Sequence, residues 1–104
     1  MPSSRSYSDF ILDQLSGLEG ISRRSMMGET IVYCRGKIVG GVYDDRFLVK
    51  PTASAAALMP GAAREAPYPG AREMLVVENV DDRPFLETLV TAVYDELPEP
   101  KRRR

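Results

Sequence analysis

Three short apolar runs joined by two tight-turn pairs, all between Met27 and Lys50, constrain this chain more than any other feature. The stretch reads MGETIVYCRGKIVGGVYDDRFLVK. Ile31, Val32 and Tyr33 lie in the first run, Ile38, Val39 and Val42 in the second, and Phe47, Leu48 and Val49 in the third. β-Branched and aromatic side chains suit a pleated, half-buried surface. Arg35-Gly36 and Asp44-Asp45 suit two-residue hairpin turns. The stretch therefore predicts an antiparallel meander. Gly40-Gly41 removes two side chains from its middle strand, which predicts either a bulge or a close approach by a helix packed over the sheet.

The flanks predict helices. Tyr7, Phe10, Ile11, Gln14, Leu15 and Leu18 follow helical spacing, so an amphipathic helix is expected over residues 5–16. Ser6 with Asp9 would form a capping box, and Ser3 or Ser4 could cap instead. Gly17 and Gly20 would end this helix. Ile21 to Met27 alternates loosely and is expected to be extended or a first strand, with Gly28 a bend or bulge before the meander. Pro51 ends the third run, and Thr52 can cap a short alanine-rich helix through Met59. Residues 62–72, with Pro67, Pro69 and Gly70, are expected to be irregular, with Tyr68 pinning the loop. Glu73 to Val80 predicts another strand, whose run Met74 to Val77 is expected to be buried on both faces. Asp81-Asp82 and Pro84 suit a helix start. Phe85, Leu86, Leu89, Val90, Val93, Tyr94 and Leu97 then form a wide apolar stripe ending at Pro98. The expected fold class is α+β: an antiparallel sheet of about four to five strands with N- and C-terminal helices packed on it. One domain is expected over residues 1–97, followed by a disordered basic tail over 98–104.

At 104 residues, a single domain can bury roughly 60–70% of its unfolded surface. No apolar run approaches the roughly 18–20 residues of a membrane span, and MPSSRSYSDF has no continuous apolar core of the kind a signal peptide needs. Cys34 is the only cysteine, so no internal disulfide can form, and a reducing, cytoplasmic setting is expected. Lys101, Arg102, Arg103 and Arg104 account for four of the 14 Lys and Arg. The remainder holds ten basic against 15 acidic residues, a formal charge of about −5. The body would repel a polyanion and the tail would attract one weakly.

Chemistry-bearing groups are sparse. The chain has no histidine, the commonest general base and metal ligand. Cys34 lies beside Arg35 and Lys37, which could lower its pKa, but a half-buried sheet cysteine is the favoured reading. Asp44-Asp45 and Asp81-Asp82 are what a hairpin turn and a helix start use anyway, whereas a hard cation needs several convergent oxygens. Gly36, Gly40 and Gly41 match no phosphate loop. No catalytic, cofactor or metal site is expected. The tail, with Arg23-Arg24, has charge but no base-reading helix, so a solvated tail is the favoured reading.

The stretch RRSMMGETIVYCRGKIVGGVYDDRFLVKP, preceded by the helix SYSDFILDQLSGL, resembles the N-terminal domain family of the competence regulator TfoX. Three segments carry the resemblance: Arg24-Ser25-Met26-Met27-Gly28, Tyr33-Cys34-Arg35-Gly36-Lys37, and Tyr43 to Lys50. It covers the chain through Leu97. Met27 stands where much of the family has an aromatic, and Glu29 where it has a second glycine. The resemblance implies helices arranged around an antiparallel sheet in a secretion-chaperone-like way. It also implies a part in regulating competence gene expression without known catalysis. The function expected is a non-enzymatic regulatory domain acting by protein association, a homodimer being one form of it. The alternative is a weak DNA-binding accessory factor using the tail. Arg23, Arg24, Met26, Met27, Gly28, Tyr33 and Tyr43 are the candidate contact residues, since methionines and aromatics suit adaptable surfaces.

Overall fold

The computed structural model describes residues 5–26 and 29–98. In chain order the elements are α1 (Arg5–Gln14), β1 (Ile21–Met26), β2 (Glu29–Cys34), β3 (Lys37–Tyr43), β4 (Arg46–Val49), α2 (Ala53–Leu58), β5 (Arg64–Glu65), β6 (Met74–Val77) and α3 (Arg83–Glu96). The strands form one antiparallel sheet in the order β1-β2-β3-β4-β6-β5. The α+β class and the helix-flanked antiparallel sheet match the sequence expectation. The strand count does not, since six strands are present where four to five were expected. The additional strand is β5, two residues inside the stretch expected to be irregular. Arg64 and Glu65 pair with Leu75 and Met74.

Both meander turns follow from their residues. Arg35 and Gly36 have φ of 51° and 86°, and Asp44 and Asp45 have 53° and 57°. Two successive left-handed residues match the right-handed twist of the strands they join, and glycine and aspartate tolerate that conformation. The β2–β3 register shifts between Val32 and Tyr33, because Val32 faces Gly40 while Tyr33 faces Ile38. Val39 is the extra residue of a bulge. A Cβ on Gly40 would lie 2.1 Å from the Leu48 carbonyl oxygen and 3.0 Å from the Val49 Cα. The neighbour that requires this glycine is thus the backbone of β4, not a helix.

Cross-strand partners share a face, so the register sorts every strand residue. Thr30, Val32 and Cys34 lie on one face with Val42, Phe47, Val49, Leu75 and Val77. All three helices pack there: Ile11 of α1 with Leu15 just after it, Ala55 of α2, and Leu86, Leu89, Val90 and Val93 of α3 join the same core. In α1, Ser8 is buried and Phe10 is exposed. Thr30 Oγ1 donates to Ser8 Oγ at 3.2 Å, which accounts for the buried hydroxyl. Among the described residues the helix runs from Arg5, so Ser6 lies inside it rather than at its cap; Asp9 instead pairs with Arg23 at 2.6 Å. Ser3, Ser4, Met27, Gly28 and the tail from Glu99 onward lie outside the described residues.

Caps close the other helices. The Thr52 hydroxyl accepts from the Ala55 N–H at 3.1 Å, and the Glu96 carboxylate accepts from the Ser54 N–H at 2.8 Å. Asp82 accepts from the Phe85 N–H at 3.1 Å. The start of α3 is tied to the end of α1: Arg83 donates to the Asp13 carbonyl at 2.9 Å, and Gln14 donates to the Val80 carbonyl at 3.0 Å. β6 is less enclosed than its apolar run predicts. Leu75 and Val77 are buried, while Met74 and Val76 are half-buried on the other face.

Candidate interaction surface

No described helix packs on the second face of the sheet. Register places Ser22 and Arg24 of β1 there, with Glu29, Ile31 and Tyr33 of β2, Ile38, Gly41 and Tyr43 of β3, Arg46 and Leu48 of β4, and Met74 and Val76 of β6. Its two halves differ. In the β3-to-β5 half the protein covers itself. Tyr43 and Leu48 are buried although they stand outside the helix-side core. The Tyr43 ring lies over Gly41, where an added Cβ would come within 2.7 Å of Tyr43 Cε2. Burial pushes the Tyr43 phenol above its ordinary pKa, with Tyr68 and then Glu29 adding to the effect. Tyr68 of the 66–73 connection thus comes close to this face while remaining 61% exposed. Arg46 and Glu65 form an ion pair. Because β6 separates their strands, the pair spans β6. The Arg46 Nε is buried and finds no acceptor among the described residues.

The β1–β2 half is open. Ile31 and Tyr33 are half-buried, Ile38 is 39% exposed, and Ser22 and Arg24 are exposed. Tyr33, Tyr43 and Arg24 therefore share one face. Arg23 stands on the helix side, held by Asp9. Met26 ends β1.

The remaining candidate groups have structural partners. Lys37 is only 8% exposed. Its ammonium donates to the carbonyls of Leu97 at 2.8 Å and Tyr94 at 3.2 Å. It also stands 4.2 Å from the centre of the Tyr94 ring, with the Arg35 guanidinium 5.4 Å from the same centre. The last turn of α3 leaves carbonyls without helical partners, and the dipole there favours a cation. Lys37 supplies both needs from the sheet. Sequence reasoning missed this role, since nothing local marks a lysine beside a turn as buried.

Cys34 is 5% exposed. Burial pushes its thiol up; Arg35 and Lys37 pull it down and Asp95 adds to the rise, and the net shift is upward. The favoured reading of a sheet cysteine fits, more deeply buried than expected, and the alternative of a thiol activated by the two cations does not: desolvation outweighs them. Asp44 and Asp45 occupy the left-handed turn, and Asp82 caps α3. Among the described residues no group of three or more Cys, Asp or Glu could hold a metal ion. No described helix is long and apolar enough to cross a membrane.

Fold and surface together define a small α+β domain whose six-stranded antiparallel sheet is backed by helices on one face and partly open on the other. The chain is 31% identical over 105 residues to an uncharacterized 12.7 kDa protein in the trpE 5′ region of Spirochaeta aurantia, a match that covers 100% of this chain and 91% of that protein. The chain belongs to that protein's family. No family model matches it, and no solved structure matches it.

Proposed function

We propose that this chain is a non-enzymatic regulatory domain that works by protein association and is related to the N-terminal domains of TfoX-type competence regulators. The observation that carries the reading is the division of labour among its residues. Lys37, Cys34, Asp44, Asp45 and Asp82 serve the fold, while Ile31, Tyr33 and Ile38 present apolar surface on a sheet face without a helix. Partly exposed aromatic and aliphatic groups on a rigid sheet are suited to contact another protein. The resemblance supports the same reading. Its Tyr33-to-Lys37 segment makes the turn that brings Lys37 under α3, and its Tyr43-to-Lys50 segment begins with the ring over Gly41.

Two measurements test this. Affinity capture from a bacterial lysate should compare the intact chain with a version ending at Pro100, each with and without nuclease. A discrete protein kept by both versions under both conditions is the expected result. Capture that vanishes with nuclease, or with Lys101–Arg104, would replace the reading by a weak nucleic-acid accessory role. Light scattering across a size-exclusion peak tests the homodimer; a monomer at high micromolar concentration would remove that form of association.

A further inference from the structure

The two edges of the sheet are unequal. β5 is two residues long, and a short edge is a poor template for pairing. β1 is six residues long, pairs among the described residues with β2 alone, and exposes Ser22, Arg23, Arg24 and Ser25 in succession. A strand of that length with an unpaired side offers a row of backbone donors and acceptors to another chain.

The charges along this edge select what could pair with it. Arg23, opposite Val32, is neutralised on the helix side by Asp9. Arg24, opposite Ile31 on the helix-free face, makes no ion pair among the described residues. A second copy is a poor occupant: two-fold antiparallel self-pairing of ISRRSM keeps each face together, so its two central registers set Arg23 against Arg23 or Arg24 against Arg24, and like charges directly opposite are destabilising. An acidic strand meets the reverse situation, since one carboxylate beside Arg24 gains a cross-strand partner. A neighbouring apolar side chain on the same face would extend the row of Ser22, Tyr33 and Ile38, where Tyr33 and Ile38 already offer apolar surface.

We propose that the outer edge of β1 receives an extended acidic segment of a partner protein, added as a seventh strand, with a carboxylate beside Arg24 and an apolar residue toward Tyr33. The proposal rests on the reading of the chain as a protein-association domain and names the partner chemistry and the place it docks. Backbone pairing supplies attraction for any extended chain; Arg24 supplies the preference for acid.

The test uses the full chain labelled with ¹⁵N and two short synthetic peptides, one repeating Val-Thr-Glu-Thr, which sets Val and Glu two residues apart on one face, and the other repeating Val-Thr-Lys-Thr. The expected result is amide shifts confined to β1 and β2 with the glutamate peptide and about fivefold weaker binding of the lysine peptide. Arg24→Glu, at an exposed position, should invert that preference while leaving the rest of the spectrum unchanged. Binding by neither peptide would overturn the proposal and leave the two arginines as guards against edge pairing. Equal binding of both, or a preference that survives Arg24→Glu, would also overturn it. The affinity capture above is independent: a protein captured while both peptides fail sinks the edge and spares the association reading. Failure of capture with the peptide preference intact sinks that reading's cellular partner but not the edge chemistry.

Discussion

Replacing Lys37 by methionine tests how the sheet and α3 are held together. Methionine keeps an unbranched stem of similar length and removes the ammonium. The wild-type ammonium bonds two carbonyls, at 2.8 Å and 3.2 Å. A hydrogen bond to a charged group contributes about 1.5–3 kcal/mol. The helix dipole adds about 0.3–1 kcal/mol and the contact with the Tyr94 ring about 0.5–2 kcal/mol. Opposing these, an ammonium on a residue only 8% exposed has lost much of its hydration, a penalty of several kcal/mol that methionine avoids. The Leu97 carbonyl decides the sign, because methionine gives it no donor at a half-buried helix end, whereas the Tyr94 carbonyl keeps the Leu97 N–H at 3.2 Å. The net loss should be about 2 kcal/mol, which for a domain of this size lowers the melting temperature by about 8–16 °C. Urea melts of both proteins measure it. Because the contact is largely shielded, the loss should persist at about 1 M salt, where surface pairs are screened. A loss below about 0.5 kcal/mol, or one that salt erases, would refute the reasoning by placing Lys37 in the class of ordinary surface lysines.

Three further outcomes follow from local geometry. Gly40→Ala sets a methyl 2.1 Å from the Leu48 oxygen and should cost about 3 kcal/mol or more in denaturant melts, whereas Gly61→Ala, which meets nothing within 4 Å, should stay within about 0.5 kcal/mol. The Ser54 N–H holds the Glu96 carboxylate below its ordinary value of 4.5. The carboxylate's contribution is therefore present above 4.5 and lost as pH falls through the lowered folded value. Glu96→Gln should be less stable than the parent at neutral pH, with the gap closing in acid when the two are melted side by side. Cys34, buried with its thiol pushed up, should alkylate at neutral pH at least about tenfold more slowly than a free thiol and reach the free rate once unfolded.

Most of the helix-side architecture was legible because it rests on local rules. The spacing of Leu86, Leu89, Val90 and Val93 commits one face of α3 to burial whatever it meets. Thr52 and Asp82 cap helices through bonds that span three residues. Gly36, Asp44 and Asp45 accept left-handed backbone on their own account, while Arg35 is carried into it by the turn. Three features were hidden. β5 has no alternating pattern and exists because β6 offers it an edge. Phe10 fits the helical stripe, yet Ser8 is buried instead, because Thr30 of β2 arrives to bond its hydroxyl. The twin glycines left bulge and helix approach equally open, and only the register identified a bulge at Val39 with β4 against Gly40.

The surface shows the same division. Alternation alone placed Tyr33 opposite Val32 in direction, and Arg23 opposite Arg24. Which of the two directions faces helices was settled only when α1, α2 and α3 packed on the side of Val32. The sequence by itself determined the three helices, the strands other than β5, the places of the meander turns, the caps at Thr52 and Asp82, and the absence of histidine chemistry, since each depends on neighbours a few residues away. The tertiary structure alone decided that Lys37 is buried under α3, that Cys34 is desolvated beyond what two adjacent cations can offset, and that β1 is a long open edge carrying Arg24. Those properties depend on which carbonyls, apolar atoms and strand edges arrive from residues far along the chain, and no local pattern encodes that arrival.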